Sequence, residues 1–178
     1  MANVSTAKPK VGGAVYVGAT TATLPTDTTT ALTGFTSLGY ISDAGLTNDG
    51  SISVDNIKAW GGDIVMTTQT EKVDTFQFAL LESLNINVLQ EIYGSENVTG
   101  SLADGIKIAV NSDAHPARAW AIDMALVDDS AKRITIPNGM ITAIDSITYS
   151  DSEAIAYNIT VTALPDASGN THYEYIKA

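Results

Sequence analysis

A chain of 178 residues, 44% hydrophobic and 16% charged, has the length and composition of one globular domain with a substantial core, which excludes intrinsic disorder. Twenty acidic residues against nine basic ones give a formal net charge of −11, the wrong sign for gripping nucleic acid by its phosphates. With no cysteine, disulfides and thiolate metal sites are excluded, so stability has to come from packing or assembly.

Residues 1–13, with Lys8, Pro9, Lys10 and Gly12-Gly13, carry no period of either kind and read as an extended N-terminal arm. They lack the apolar centre of a signal peptide, and no run approaches the ~18 apolar residues of a membrane span. The expectation is therefore a soluble protein without Sec-type export or membrane insertion, for which Asn97-Val-Thr99 and Asn158-Ile-Thr160 carry no weight as glycosylation acceptors. Residues 14–18, AVYVG, read as a strand. Residues 20–36 are β-branched but broken by Pro25 and Gly34, the composition of an irregular connection with little core of its own. Through Gly39, Gly45 and the Asp49-Gly50 step the chain reads as turns between short extended pieces. Ile52 and Val54 then share one parity and Ile57 and Ala59 the other, which predicts a bulge or bend near Asp55-Asn56.

Phe76, Phe78 and Leu80 alternate with Thr75, Gln77 and Ala79, a half-buried strand with its aromatic face inward. From Ser83 to Tyr93 the period changes: Leu84, Val88 and Ile92 recur four apart, predicting one helix of about three turns that stops at Gly94. Strands resume at residues 105–111, with Ile106, Ile108 and Val110 on one face. In residues 117–129, Trp120, Ile122, Met124 and Leu126 oppose Ala119, Ala121, Asp123 and Ala125, so Trp120 is expected in the core. Asp128-Asp129-Ser130 should turn this strand into a hairpin with residues 131–137, Ile134 and Ile136 inward. Residues 139–150 have no clear phase. Ile155, Tyr157, Ile159 and Val161 alternate in the last long strand, after which residues 165–178 read as a turn and a tail. The fold class that results is mainly β: a β-sandwich or curled barrel with one flanking α-helix.

Catalytic and metal chemistry find little support. The GLTNDG stretch fails as a calcium loop, because aligning Gly50 with the required glycine puts Gly45 at the first ligand position and Asn56 where a bidentate glutamate belongs; a turn is expected instead. His115 and His172 lie in no metal-ligand spacing and are expected to face solvent or an interface. There is no nucleophile elbow, P-loop or dinucleotide fingerprint, and the carboxylates are spread singly, so neither enzyme, cofactor nor metal is expected. Trp60, beside Gly61-Gly62, anchors a loop either on this subunit's own body or on a neighbour's.

Taken in order, LGYISDAGLTNDGSISVDNIKAWGGDIV from Leu38, VDTFQFALLESLNINVLQEIYGSENV from Val73, RITIPNG from Arg133 and YNITVTALPDASGN from Tyr157 resemble the major tail tube protein of long, non-contractile-tailed (siphovirus-type) bacteriophages. Gly39-Tyr40, Asp49-Gly50, Trp60-Gly61, Thr75-Phe76, Leu81-Glu82 and Tyr93-Gly94 fall in that family's order, over about residues 37–170. The resemblance implies a structural virion protein whose copies form hexameric rings stacked into a hollow tube, assembled in the host cytoplasm around a tape-measure protein, with tail terminator and tail-tip proteins at its ends. It also implies an acidic lumen through which double-stranded DNA passes unbound, with Asp123 as a candidate lumen-facing carboxylate. The implied organisation is an N-terminal arm (1–13), a β-sandwich domain (14–164) with an inter-subunit loop at about 38–63 and a helix at about 83–93, and a C-terminal arm (165–178). Tyr40, Ile41, Leu46, Ile52, Val54, Ile57 and Trp60 are the loop residues expected to reach a neighbour, because so glycine-punctuated a segment cannot bury them alone. A capsid decoration protein and a tail-associated carbohydrate- or receptor-binding module are the alternatives, the latter needing an exposed aromatic platform.

Overall fold

In the computed structural model, which describes residues 4–10, 13–127 and 130–178, nearly every element is a strand. They are β1 (Lys8–Pro9), β2 (Val15–Gly18), β3 (Phe35–Ser37), β4 (Ile41–Lys58), β5 (Ile64–Leu80), helix α1 (Ile86–Tyr93), β6 (Val98–Ser101), β7 (Gly105–Ile108), β8 (Arg118–Ala125), β9 (Ala131–Ile144), β10 (Tyr157–Leu164) and β11 (Tyr173–Lys177). One antiparallel sheet runs β3-β2-β8-β9-β10-β5-β4, while β6 and β7 form a separate ribbon. Strand β9 is the hub. Along one edge it pairs with β8; along the other its first half takes β11 and its second half takes β10.

The sheet curls on itself. Strands β8 and β5 are three places apart in the sheet, about 14 Å if it were flat, yet the rings of Trp120 and Phe78 meet edge-to-face with centroids 6.1 Å apart. Into this curl point Phe76, Phe78 and Leu80 from β5, Trp120 and Ile122 from β8, Ile134 and Ile136 from β9, and Tyr157, Ile159 and Val161 from β10. These are the residues whose alternation predicts the core. Helix α1 closes one end with Val88, Leu89 and Ile92, and Tyr93 meets Tyr157 edge-to-face.

The helix begins later than its period suggests. Asn85 caps it, accepting from the Asn87 N–H at 3.0 Å. Leu84 stays exposed. Residues 82–85 are taken by another bond: the Glu82 carboxylate receives the Tyr40 N–H at 3.1 Å and the Asn85 amide at 2.8 Å. Gly39 makes room for it, since a Cβ there would lie 1.9 Å from that carboxyl group. Gly94 ends the helix as expected, with φ 92° and its N–H on the Gln90 carbonyl.

Other expectations change. Asp49-Gly50 is no turn but mid-strand, paired with Thr75 and Asp74; the turn falls at Ala59–Asp63, where Gly61 and Gly62 take positive φ. The bulges lie at Ser53/Val54 and Ile57/Lys58, either side of the expected Asp55-Asn56. Of the supposed inward face Ile106, Ile108 and Val110, only Ile106 packs on the core, because β6–β7 is a side ribbon. Residues 20–34 form a cover: Pro25 is fully buried, and Arg133 on β9 donates to the carbonyls of Asp27 and Thr30. Strand β8 is therefore covered on both faces, burying Ala119, Ala121 and Asp123 as well as Trp120. The tail ends in β11, paired to β9. The β8–β9 hairpin forms as predicted, though its turn residues Asp128 and Asp129, like Gly12 and the first three residues of the arm, lie outside the described residues.

Gly139 sits under the Trp120 indole, whose Nε1 donates to the Gly139 carbonyl at 3.0 Å; a Cβ at Gly139 would lie 2.6 Å from that ring and 2.8 Å from Val161. We expect Gly139→Ala to overpack the centre of the curl and cost about 1–3 kcal/mol, seen as a fall of several degrees in thermal midpoint.

Candidate assembly surface

Strands β4 and β5 form one long hairpin whose root belongs to the core and whose outer part belongs to nothing in the protomer. Every residue from 47 to 72 is exposed. The ladder from Gly50–Asp74 to Lys58–Ile64 stands on the order of 25 Å beyond the body at 3.3 Å per residue. Two strands without a covered face are marginal in water. Yet this ribbon displays Ile52, Val54, Ile57, Ile64, Val65 and Met66, each 50–63% exposed, and Trp60 wholly exposed at its turn. Apolar groups concentrated in this way mark a surface that a partner covers. Among the described residues, no strand pairs with the outer edge of β4.

The expected loop residues divide along this hairpin. Ile41 and Leu46 are half-buried against the core and form the root, where residues 42–45 bulge out of register with β5. Tyr40 is exposed, but its backbone is tied to Leu81 and Glu82. Ile52 and Val54 continue outward the parity of Leu46, whose partner Phe78 is core. Ile57 pairs with Met66 on the opposite face. Ile64, Val65 and Met66 complete the surface from the second strand. Their signal was the apolar IVM run after the Gly-Gly break, which is conspicuous only once both strands are known to pair.

Where the hairpin leaves the body, Asp74 is the last buried residue of β5. Its carboxylate accepts from Asn48 Nδ2 at 2.7 Å and Thr171 Oγ1 at 2.7 Å, and meets His172 Nδ1 at 2.5 Å. His172 also lies edge-on to Phe76. It is therefore engaged inside the protomer, contrary to the expectation of a solvent-facing or interface residue. Burial alone would raise the Asp74 carboxyl, but the hydrogen bonds from Thr171, Asn48 and His172, with the charge of His172, outweigh it and hold it below the ordinary carboxylate value.

Asp123, the candidate lumen-facing carboxylate, is buried inside the protomer. It is 4% exposed and bound bidentately by Arg133, Nε to Oδ1 at 2.5 Å and Nη2 to Oδ2 at 2.8 Å, with Lys10 Nζ 3.5 Å away. The Arg133 that binds it also donates to the carbonyls of Asp27 and Thr30, so the carboxylate lies under residues 27–30. The turn that seals it is built by Asp27, whose carboxylate takes the Thr30 and Thr29 backbone N–H groups and is thereby lowered to about 2. Among the described residues, no three His, Asp or Glu side chains converge into a metal-binding group, and no helix is long and apolar enough to cross a membrane.

The sequence model of a family described as phage tail tube protein matches residues 4–178. No curated protein matches the chain.

Two outcomes test these polar clusters. Because the folded Asp74 carboxyl is lowered, its stabilisation is fully present above the unfolded carboxylate value and is lost as pH falls through the folded one. Asp74→Asn should therefore lower the urea midpoint at neutral pH, with the gap to the parent chain closing toward pH ~2. Arg133→Met leaves buried Asp123 with only the longer, exposed Lys10 contact, and should cost about 3 kcal/mol in urea unfolding.

Proposed function

The chain belongs to the phage tail tube protein family, and on that footing we propose that it is the major tail tube subunit, its copies joined in hexameric rings that stack into a hollow tube. A tail tube protein is a structural component of the virion tail, not an enzyme, and it works by self-assembly into a tube together with other tail proteins. Family membership sets aside the capsid-decoration and carbohydrate-binding alternatives.

The observation that carries the finer reading is the projecting hairpin. An apolar, two-stranded ribbon that its own protomer leaves bare is stable when a neighbouring copy covers it. The N-terminal segment and residues 165–178 are proposed as the further contacts between subunits, although β1 and β11 also pair within the protomer.

The charge supports the rest. Among the described acidic residues only Asp74 and Asp123 are buried, so the net charge of −11 is carried almost entirely by the surface. A tube wall of that sign repels phosphate within a Debye length, about 8–10 Å at physiological salt, and lets double-stranded DNA slide without adsorbing. In this reading the tube assembles in the host cytoplasm around a tape-measure protein, is closed by terminator and tip proteins, and conducts the genome during ejection.

Negative-stain electron microscopy of the concentrated protein tests the proposal, beside a variant in which an Asn-Gly turn replaces residues 51–73 and joins the paired Gly50 and Asp74. Hollow tubes or six-fold rings are expected from the intact chain, and a folded monomer from the variant. Tubes from the variant would overturn the hairpin's role, and rings of another symmetry would overturn the hexamer.

A further inference from the structure

Among the described residues, the β1–β2 side of the curl and its β4 side do not pair, and between them an apolar cavity of about 260 Å³ opens at the root of the hairpin. Pro9 walls it from β1, Ile41 and Leu46 from the root of β4, and Ile122 and Met124 from β8. Lys8 stands on one side and Asp43, in the bulge of β4, on another.

Resting on the tube reading, we propose that this cavity is the receptor for Trp60 of a second copy, so that the tip of one hairpin fills the seam at the root of the next. Three observations carry it. Trp60 is wholly exposed on a turn held by the Ala59–Asp63 hydrogen bond, so a large side chain is presented with nothing of its own to pack on. The cavity lies below the roughly 300–1,000 Å³ of small-molecule pockets and is of the scale one large side chain fills. The charges are complementary in kind: Lys58 and Asp63 flank the tip, and Asp43 and Lys8 line the cavity, so each surface carries one charge of either sign for the other to pair.

A second copy is the occupant because the two features cannot meet in one chain. Twelve residues of extended strand from Leu46 to Lys58, on the order of 40 Å, separate the cavity from the turn that carries Trp60. A tip-to-root contact is also heterologous: each copy uses its tip on one neighbour and its cavity on another, the kind of contact that propagates a polymer. Filling the seam completes the core of the receiving copy with an aromatic from the giving one. Lateral contacts made by the faces of the hairpin are compatible with it.

The absence of cysteine makes the test direct. Ala59→Cys beside the tip and Ala44→Cys in the cavity wall are too far apart to join within one copy, so any disulfide between them links two. Under mild oxidation of the assembled protein, the double variant should give a ladder of covalent oligomers. Ala59→Cys with Ser168→Cys, in the exposed C-terminal turn, should not. In parallel, Trp60→Ala should raise the concentration needed for assembly by about tenfold or more with no change in the monomer's thermal midpoint, and Trp60→Phe should recover part of the loss. Rings or tubes that form without the ladder, or with equal linkage to the Ser168 position, would overturn the cavity as receptor and leave the tube reading standing. A chain that forms neither rings nor tubes would overturn the tube reading itself.

Discussion

Everything in the protomer hangs on the contact that closes the curl, where the Trp120 indole lies on Gly139, donates to its carbonyl and meets Phe78 from the far side of the sheet. A flat seven-strand path would expose one whole face. Curling lets β5 and β8 share a core, and the glycine at the centre allows two strands and an indole to approach closely enough for it. The same contact decides where the hairpin goes. Once Phe76, Phe78 and Leu80 are committed to the curl, the remainder of β5 and its partner β4 have no core left to join and run off the edge.

Two buried carboxylates mark the limits of that core, and each ties down a segment with no periodicity of its own. Asp123 and Arg133 hold the cover formed by residues 20–34, using side-chain charge where hydrophobic pattern is missing. Asp74 gathers Asn48 from β4 and Thr171 and His172 from the C-terminal segment at the place where the hairpin leaves the body. Buried ions are weak contributors to net stability. Their value here is positional, because neither the cover nor the C-terminal segment has enough apolar surface to find its place otherwise.

This division explains what could be read from the residues. The inward faces of β5, β8 and β10 were legible because each alternates over several residues against a single core. Helix α1 was legible from its four-residue spacing, and its start was not, because Glu82 is diverted to the Tyr40 N–H. In sequence the hairpin reads as loop and turns for a physical reason: glycines and an Asp-Gly step signal a turn when a strand has a core to serve, and the outer ribbon serves none inside the protomer. Of its predicted Ile and Val residues, Ile52, Val54 and Ile57 stand exposed, while Ile41 packs on the core at the root. Alternation assigns one face of β8 to solvent, and nothing local announces that residues 27–30 return to cover Asp123.

A long bare edge strand with apolar side chains is an aggregation hazard, and most proteins shorten or cover it. Here charge restrains it without removing it. Asp49, Asp55, Asp63 and Glu71 lie along the ribbon with Lys58 and Lys72 among them, and the surface as a whole is strongly acidic, so two copies meeting at random repel. Contacts that match shape and local charge overcome that repulsion where mismatched ones do not. The acidity proposed to keep DNA from adhering to the tube's interior would thus also make association selective, and a subunit built to polymerise needs both effects. It has to stay dispersed until the correct neighbour arrives, and then to complete with that neighbour a core it cannot complete alone.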